Sequence, residues 1–159
     1  MSEHQQPPET PIGDQVGTPD EIDTVERLND TQIAQLHSLL QQQWWGKARS
    51  LQDVQTMVRH SSLVIGLVDH DSRRLLGFCR VLTDFVFRGT VYDVMVEKAW
   101  QRRGLGQRLM QTLSEHPKLR QVGCLYLSCN PNMVPFYEAW GFRVFEDGME
   151  WMIKGKRDG

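Results

Sequence analysis

One stretch of the sequence limits the fold more than any other, because residues 91–113 run from an apolar segment through a basic turn into a helical pattern. Residues 90–96 are rich in β-branched and aromatic side chains, which favour a largely buried strand. Asp93 is the one charged residue in that segment. Apolar residues then recur at helical spacing from Leu105 to Leu113, so the sequence predicts a helix that begins near Gly104.

The turn between this strand and this helix has the composition of an anion-binding site. The run QRRGLG at 101–106 places Arg102 and Arg103 at the start of a helix, where backbone N–H groups lack internal partners. No Lys-Ser or Lys-Thr pair follows Gly104 as a Walker loop requires, and Leu109 stands where a dinucleotide fingerprint needs a small residue. A plain turn without a ligand is the alternative interpretation.

A second motif lies downstream. Residues 122–142, VGCLYLSCNPNMVPFYEAWGF, contain an apolar strand and then a short helix that carries Tyr137. Asn130 suits the N-cap of this helix and Pro131 its first position, while Gly141 suits the left-handed residue after its end. These features alone indicate only a well-delimited helix.

In order and spacing the two motifs together resemble the GCN5-related N-acetyltransferase (GNAT) family. The turn matches the family pattern [RQ]-x-x-G-x-[GA], and Asn130, Tyr137 and Gly141-Phe142 match its closing pattern. The resemblance covers roughly 63–154. It implies an α/β (α+β) fold with a mixed, mostly antiparallel central sheet of six to seven strands, flanked by about four helices, in one domain over 21–155.

The resemblance also implies acetyl-CoA as cosubstrate and acetyl transfer to a primary amine by direct attack in a ternary complex. The central strand would bind the pantetheine arm and the acetyl carbonyl through its backbone, the turn would bind the pyrophosphate, and Asn130 would contact the arm. The residues expected to bind acetyl-CoA are Val94, Met95, Val96, Gln101, Arg102, Arg103, Gly104, Leu105, Gly106, Gln107 and Asn130.

Acetyl transfer to an amine needs an acid and a base; the family spacing suggests the acid, and the isolated carboxylate in the central strand suggests the base. Tyr137 is the candidate general acid for the leaving thiolate, with core packing as the alternative. Asp93 is the leading candidate for the base, although it could instead accept backbone hydrogen bonds at an irregularity of the strand, and Asp84 is the runner-up. Some relatives that modify protein N-termini carry a glutamate where this chain has Leu125, so close equivalence with them is not expected.

The acceptor pocket is expected near Trp44 and Trp45, which stand between two predicted helices, and near Asp84. The two tryptophans could instead be a packing plug between the helices. If they line the pocket, their rings would favour an aromatic or aliphatic amine as acceptor. The sequence around Asp93 is also similar to arylalkylamine (serotonin-type) acetyltransferases. Alternatives are acetylation of protein lysines or N-termini, and a non-catalytic acetyl-CoA sensor. Covalent catalysis by Cys129 is disfavoured, because no histidine is near it in sequence.

Other elements are predicted from local patterns. A weak first strand spans 22–28, a helix capped by Asp30 or Thr31 follows, and Ser50 with Asp53 caps a second helix that turns Leu51 and Val54 inward. Further predicted elements are a hairpin of strands at 63–68 and 75–83 and a final strand at 150–154.

Composition limits the remaining classes. The chain has 159 residues and three cysteines, and it has neither a CxxC motif nor metal-ligand spacing, so we expect one domain without a metal. Residues 1–30 hold eight acidic side chains and one basic, whereas the rest holds twelve acidic and seventeen basic, which suits an anionic cosubstrate. Residues 1–20 and 156–159 are expected to be flexible tails. We expect a cytoplasmic protein without nucleic-acid or membrane partners, and the resemblance allows a homodimer.

Overall fold

The computed structural model describes residues 21–146, 148 and 152–154. These residues form a five-stranded sheet in the order β1-β2-β3-β4-β5, with antiparallel pairing except between β4 and β5, which are parallel. The elements in chain order are β1 (Ile22–Val25), α1 (Asp30–Gln41), α2 (Leu51–Arg59), β2 (Leu63–Asp69), β3 (Leu75–Thr83), β4 (Arg88–Val96), α3 (Leu105–Glu115), β5 (Cys124–Tyr126) and α4 (Val134–Glu138), with short 3-10 turns at Lys98–Trp100 and Pro131–Met133.

The predicted α/β class and the mixed, mostly antiparallel sheet are confirmed. Within the described residues the sheet has five strands rather than six or seven, and four α-helices flank it. The predicted final strand at 150–154 lies partly outside the described residues. Its described part, 152–154, is exposed and is not in a strand.

The start of α1 differs from the prediction by one residue. Asn29, not Asp30 or Thr31, is the N-cap, because its Oδ1 accepts from the backbone N–H of Gln32 at 2.8 Å. The side chain of Gln32 in turn accepts from the backbone N–H of Asn29 at 3.0 Å. This reciprocal pair uses two of the amides that a helix start leaves without partners.

The predicted cap of α2 is confirmed. The hydroxyl of Ser50 accepts from the backbone N–H of Asp53 at 3.1 Å, and the Asp53 carboxylate accepts from the backbone N–H of Ser50 at 3.0 Å. Val54 is buried as expected, but the prediction that Leu51 turns inward is wrong, because Leu51 is exposed at the first turn of the helix. A helix of nine residues presents only a narrow stripe to the sheet.

Two apolar layers hold the sheet from its two sides. Along β3 the side chains alternate, so Phe78 packs in the layer that α1 and α2 cover, while Cys79 packs in the layer that α3 covers. Leu36 of α1 and Leu109 of α3 are fully buried in these layers. The central strands β3 and β4 are thereby held from both faces.

The buried thiol of Cys79 predicts a loss of stability at alkaline pH. Burial raises its pKa from 9.0 to about 12. Because the folded state keeps this proton to higher pH than the unfolded chain does, the free energy of unfolding falls as pH rises from about 9 towards 12. Urea titrations across this pH range should show that the free energy of unfolding falls less steeply for Cys79→Ala than for the wild type.

The matched control for that measurement is Cys129→Ala, since Cys129 is exposed. Its pH dependence should follow that of the wild type. Equal slopes for all three proteins would contradict the assignment to Cys79.

Candidate active site

The active-site region is organised around the carboxyl-terminal half of β4. Pairing between β4 and β5 covers Arg88 to Thr90, which lie opposite residues 124–126. Residues 91–96 therefore continue past β5, and within the described part of the chain no strand pairs with them on that edge. No β-strand therefore takes up the backbone N–H and C=O groups that point to this side within the described residues, and such groups require partners when they are buried.

A β-bulge interrupts β4 on its other edge. Phe78 pairs with Met95 and Arg80 with Tyr92, so two residues of β4 lie opposite one residue of β3. Asp93, the first of these two, has φ of 54°. This left-handed conformation is uncommon outside glycine, although aspartate tolerates it better than most residues. The bulge turns the Asp93 side chain towards Arg80.

The turn after β4 leads into α3 as the sequence predicted. Gly104 is the N-cap, with φ of 84°, and Leu105, the first helical residue, is buried in the core. Arg102 and Arg103 are exposed beside this helix start. The side-chain amide of Gln101 donates to the carbonyl of Val96 at 3.1 Å, which ties the turn back to the strand. A basic helix N-terminus thus lies at the end of the free edge of β4.

A cleft of about 560 Å³ lies between the end of β4 and the segment that joins α1 to α2. It brings together three predicted acetyl-CoA ligands with polar and basic side chains from 41–47. Its lining residues are Leu39, Gln41, Gln42, Gln43, Lys47, Met95, Val96, Lys98 and Gln101.

The two tryptophans lie beside this cleft in sequence but do not line it. Trp44 is 80% exposed, so it is not a packing plug. Trp45 is 37% exposed, and the guanidinium of Arg49 lies 5.0 Å from its ring centroid. The segment therefore presents aromatic surface to solvent next to the site.

Asp93 is buried in a cluster with two arginines. Its side chain is 6% exposed, and its Oδ2 accepts from Nε of Arg80 at 2.6 Å. One terminal nitrogen of Arg49 lies 3.4 Å from both carboxylate oxygens. The sequence did not single out these arginines, although Arg80 and Asp93 are opposite charges inside two neighbouring apolar strands, a pattern that predicts cross-strand pairing.

Tyr137 lies in α4 and is buried. Its ring makes edge contacts with Phe136 and Phe142, at centroid distances of 5.0 and 6.1 Å. Burial raises the pKa of the phenol to about 12, and the nearby thiols of Cys129 and Cys79 add to the shift when they ionise. The hydroxyl therefore keeps its proton at physiological pH.

Two other predicted residues lie in turns. Oδ1 of Asp84 accepts from three backbone N–H groups of the β3–β4 turn, at 2.8, 2.8 and 3.1 Å. These bonds lower the pKa of the carboxyl group, and through them the carboxylate stabilises the turn. Asn130 is exposed before the 3-10 turn at Pro131–Met133, and its side chain makes no capping bond there. That amide is accordingly available to a ligand.

Comparisons with known proteins agree with this geometry. The description "Acetyltransferase (GNAT) family" belongs to a family model that matches residues 27–142, which include β4, the basic turn and Tyr137. The chain belongs to the GNAT acetyltransferase family. It is therefore an acyltransferase, and the resemblance in the sequence is confirmed.

Curated relatives of this GNAT protein include proteins of algae, cyanobacteria and plants. "Uncharacterized N-acetyltransferase ycf52" of Porphyra purpurea is 32% identical over 123 residues, which cover 76% of this chain and 70% of that protein. "Histone acetyltransferase TAP1" of Glycine max is 26% identical over 144 residues, which cover 82% of this chain and 62% of that protein. The matched segment thus leaves part of each relative uncovered.

Solved structures share the fold. An acetyltransferase of the GNAT family from Xanthomonas campestris pv. campestris superposes with a TM-score of 0.71 at 25% identity, covering 86% of this chain and 96% of that chain. Glucosamine-6-phosphate N-acetyltransferase from Arabidopsis thaliana gives 0.63 at 15% identity, covering 84% and 99%, which shows the fold alone.

Two kinds of feature are absent from the described residues. None of their helices has the length and apolar character needed to cross a membrane. No three His, Cys, Asp or Glu side chains among them are grouped in a way that could hold a metal ion.

Gly46 provides a test of the segment that borders the cleft. A Cβ added there would lie 2.3 Å from the backbone oxygen of Leu40, so the segment would have to move. We expect Gly46→Ala to lower the melting temperature by several degrees, on the order of 1–3 kcal/mol of stability. Thermal denaturation followed by circular dichroism measures this.

Gly106→Ala is the matched control, because a Cβ there would only touch the Phe136 ring at 3.5 Å. In a helix, alanine is favoured over glycine by about 1 kcal/mol, so this variant should be neutral or more stable. An unchanged melting temperature for Gly46→Ala would show that the segment does not depend on this close approach.

Proposed function

We propose that this protein is an acetyl-CoA-dependent N-acetyltransferase that acts on a primary amine by direct attack in a ternary complex. The observation that carries the proposal is the arrangement of β4. Its free edge at 91–96 runs directly into a basic helix N-terminus at Gly104. An extended amide-rich ligand with an anionic end fits such a line of donors.

The residues of the turn suit the pyrophosphate of acetyl-CoA. At Gly104 the space that a Cβ would occupy is open apart from the far end of Gln107, at 3.9 Å, so an anion can approach the backbone. Arg102 and Arg103 add two exposed positive charges. Residues 94–96 would hold the pantetheine arm, residues 101–107 the pyrophosphate, and Asn130 the arm near α4. When bound, acetyl-CoA supplies a thioester, the source of the acetyl group.

Tyr137 is proposed as the general acid. Its raised pKa of about 12 keeps it protonated, so it has a proton to give to the leaving thiolate. A thiolate has a lower pKa than this phenol, so close and well-aligned contact must drive the transfer. The edge contacts with Phe136 and Phe142 fix the ring and so limit where the hydroxyl can lie.

For Asp93 the hydrogen bonds favour positioning over the base role that the sequence suggested. Arg49 lies near both carboxylate oxygens and Arg80 donates to one of them, so an ammonium proton would have to displace a guanidinium donor. We propose that Asp93 orients the two arginines beside the bulge. The proton of the acceptor amine would then leave through water in the cleft.

A small amine is the first acceptor hypothesis, with Trp44, Trp45 and Asp84 near the acceptor. Protein lysines or N-termini are the second, because the Glycine max relative is named a histone acetyltransferase. The buried, protonated Tyr137 argues against a non-catalytic acetyl-CoA sensor. We also propose a cytoplasmic location.

Thiol release from acetyl-CoA in the presence of an acceptor panel tests the function. The panel contains aromatic amines, polyamines, amino acids and short peptides. Release that requires one class of acceptor supports the transferase. Acetyl-CoA binding without release for any acceptor would contradict it and favour the sensor.

Tyr137→Phe tests the acid. We expect turnover to fall at least about tenfold, which is modest for the loss of a general acid, while the acetyl-CoA dissociation constant changes little. Thiol release gives the turnover number, and isothermal titration calorimetry gives the affinity. An unchanged turnover number would remove Tyr137 from the mechanism.

The basic turn is tested by Arg102→Gln with Arg103→Gln. We expect the double variant to weaken acetyl-CoA binding about tenfold or more, because charged hydrogen bonds to phosphate are among the stronger ones. Arg59→Gln is the control, since Arg59 is an exposed residue at the end of α2, remote in sequence from the turn. Equal affinities in the double variant and the control would place the pyrophosphate elsewhere.

A further inference from the structure

Three arginines stack on aromatic rings, two of them beside the bulge of β4 and the third, Arg88, at the start of that strand. The distances from the guanidinium carbon to the ring centroid are 4.7, 5.0 and 5.4 Å. The pairs, which we call the arginine face, are Arg80 with Tyr92, Arg49 with Trp45 and Arg88 with Tyr126.

The strand register places those residues of the arginine face that belong to β-strands on the same face of the sheet. Arg80 pairs with Tyr92, and Thr90 pairs with Tyr126; side chains of paired residues share a face. Tyr92 and Thr90 are two residues apart on β4, so they too point to the same side. Phe78, two residues before Arg80, packs in the α1–α2 layer, so this is the face that α1 and α2 cover only in part.

The arginine face has more positive than negative charge. It holds three guanidinium groups and one buried carboxylate, that of Asp93, which pairs with Arg49 and Arg80. The Asp84 carboxylate, in the nearby turn, accepts from backbone N–H groups. Arg88 makes no ion pair within the described residues, and its ring contact with Tyr126 leaves its N–H groups available.

Two of these guanidinium groups, those of Arg80 and Arg49, contact the same carboxylate, that of Asp93. Arg80 uses Nε for Asp93, and Arg49 uses one terminal nitrogen. A guanidinium has five N–H donors, so both residues keep donors for a second anion. Their side chains are only 12% and 31% exposed, and partial burial strengthens a bond to carboxylate or phosphate.

Building on the proposed function, we propose that the acetyl acceptor is a small amine that also carries a carboxylate or a phosphate. The remaining donors of Arg49 and Arg80 bind this anionic group, and the rings of Trp45 and Tyr92 lie beside it. The same positive surface disfavours polyamines and Lys-rich or Arg-rich peptides, because like charges repel at this range.

Matched acceptors test the proposal on the wild-type protein. Tyrosine is compared with tyramine, and O-phosphoethanolamine with ethanolamine, by thiol release at equal acetyl-CoA. We expect kcat/KM to be at least about tenfold higher for the anionic member of one pair, and this advantage to shrink with added salt. Which pair responds distinguishes carboxylate from phosphate. Equal or higher rates for the members without a carboxylate or phosphate, for spermidine or for a Lys-rich peptide would overturn the inference.

Arg49→Gln tests the residue assignment. We expect KM for the acceptor that carries the carboxylate or phosphate to rise at least about tenfold, with KM for acetyl-CoA and rates on the matched amine without that group unchanged. Arg80→Lys keeps a charge beside buried Asp93 but loses the guanidinium geometry, so it should fold and show the same selective defect. Arg59→Gln should behave as wild type. A uniform loss on all acceptors in Arg49→Gln would indicate a structural role and contradict the proposal.

Calorimetric titration with O-phosphoethanolamine and tyrosine separates this inference from the proposed function. Saturable binding of either probe that Arg49→Gln abolishes supports the anion site even if no thiol is released, in which case the transferase proposal fails. Thiol release only with amines that lack a carboxylate or phosphate retains the transferase and overturns the anion site. If neither probe binds and no thiol is released, both proposals fall.

Discussion

The bulge of β4 is the constraint on which the site depends. Asp93 occupies a left-handed conformation, and such a conformation costs about 1–3 kcal/mol for a residue other than glycine. The ion pairs with Arg80 and Arg49 offset this cost, since without either arginine the buried Asp93 carboxylate would have no compensating charge from this cluster. The bulge in turn sets the direction in which 94–96 run along β3 towards the basic turn. The bulge, the ion pairs of Asp93 and the edge of β4 proposed to bind the ligand therefore depend on one another.

This arrangement is rigid because the surrounding core is packed from both sides. Phe78 lies under α1 and α2, and Leu105 and Leu109 bring α3 against the other face. The same helix places its N-terminus at the end of β4, so the packing that stabilises the sheet also positions the anion site. A displacement of α3 would therefore alter both the core packing and the anion site.

Local patterns in the sequence were sufficient to predict several features of the structure. The start of α3 at Gly104, the Ser50–Asp53 cap and the β2–β3 hairpin depend on residues close in the chain, and all are confirmed. The cap of α1 was misplaced because Asn29, Asp30 and Thr31 are all good capping residues, and only the reciprocal bonds with Gln32 select one. Choices between adjacent residues of similar propensity require the geometry.

By itself the sequence determined the family, the order of the elements and the position of the turn and of Tyr137, because spacing and helix punctuation are local properties. Only the tertiary structure decided that Asp93 lies between Arg80 and Arg49 and that Trp44 is exposed. Arg49 and Asp93 are 44 positions apart, and no local propensity encodes which side chains meet across strands and loops. That pairing depends on register and burial, which exist only once the sheet has formed.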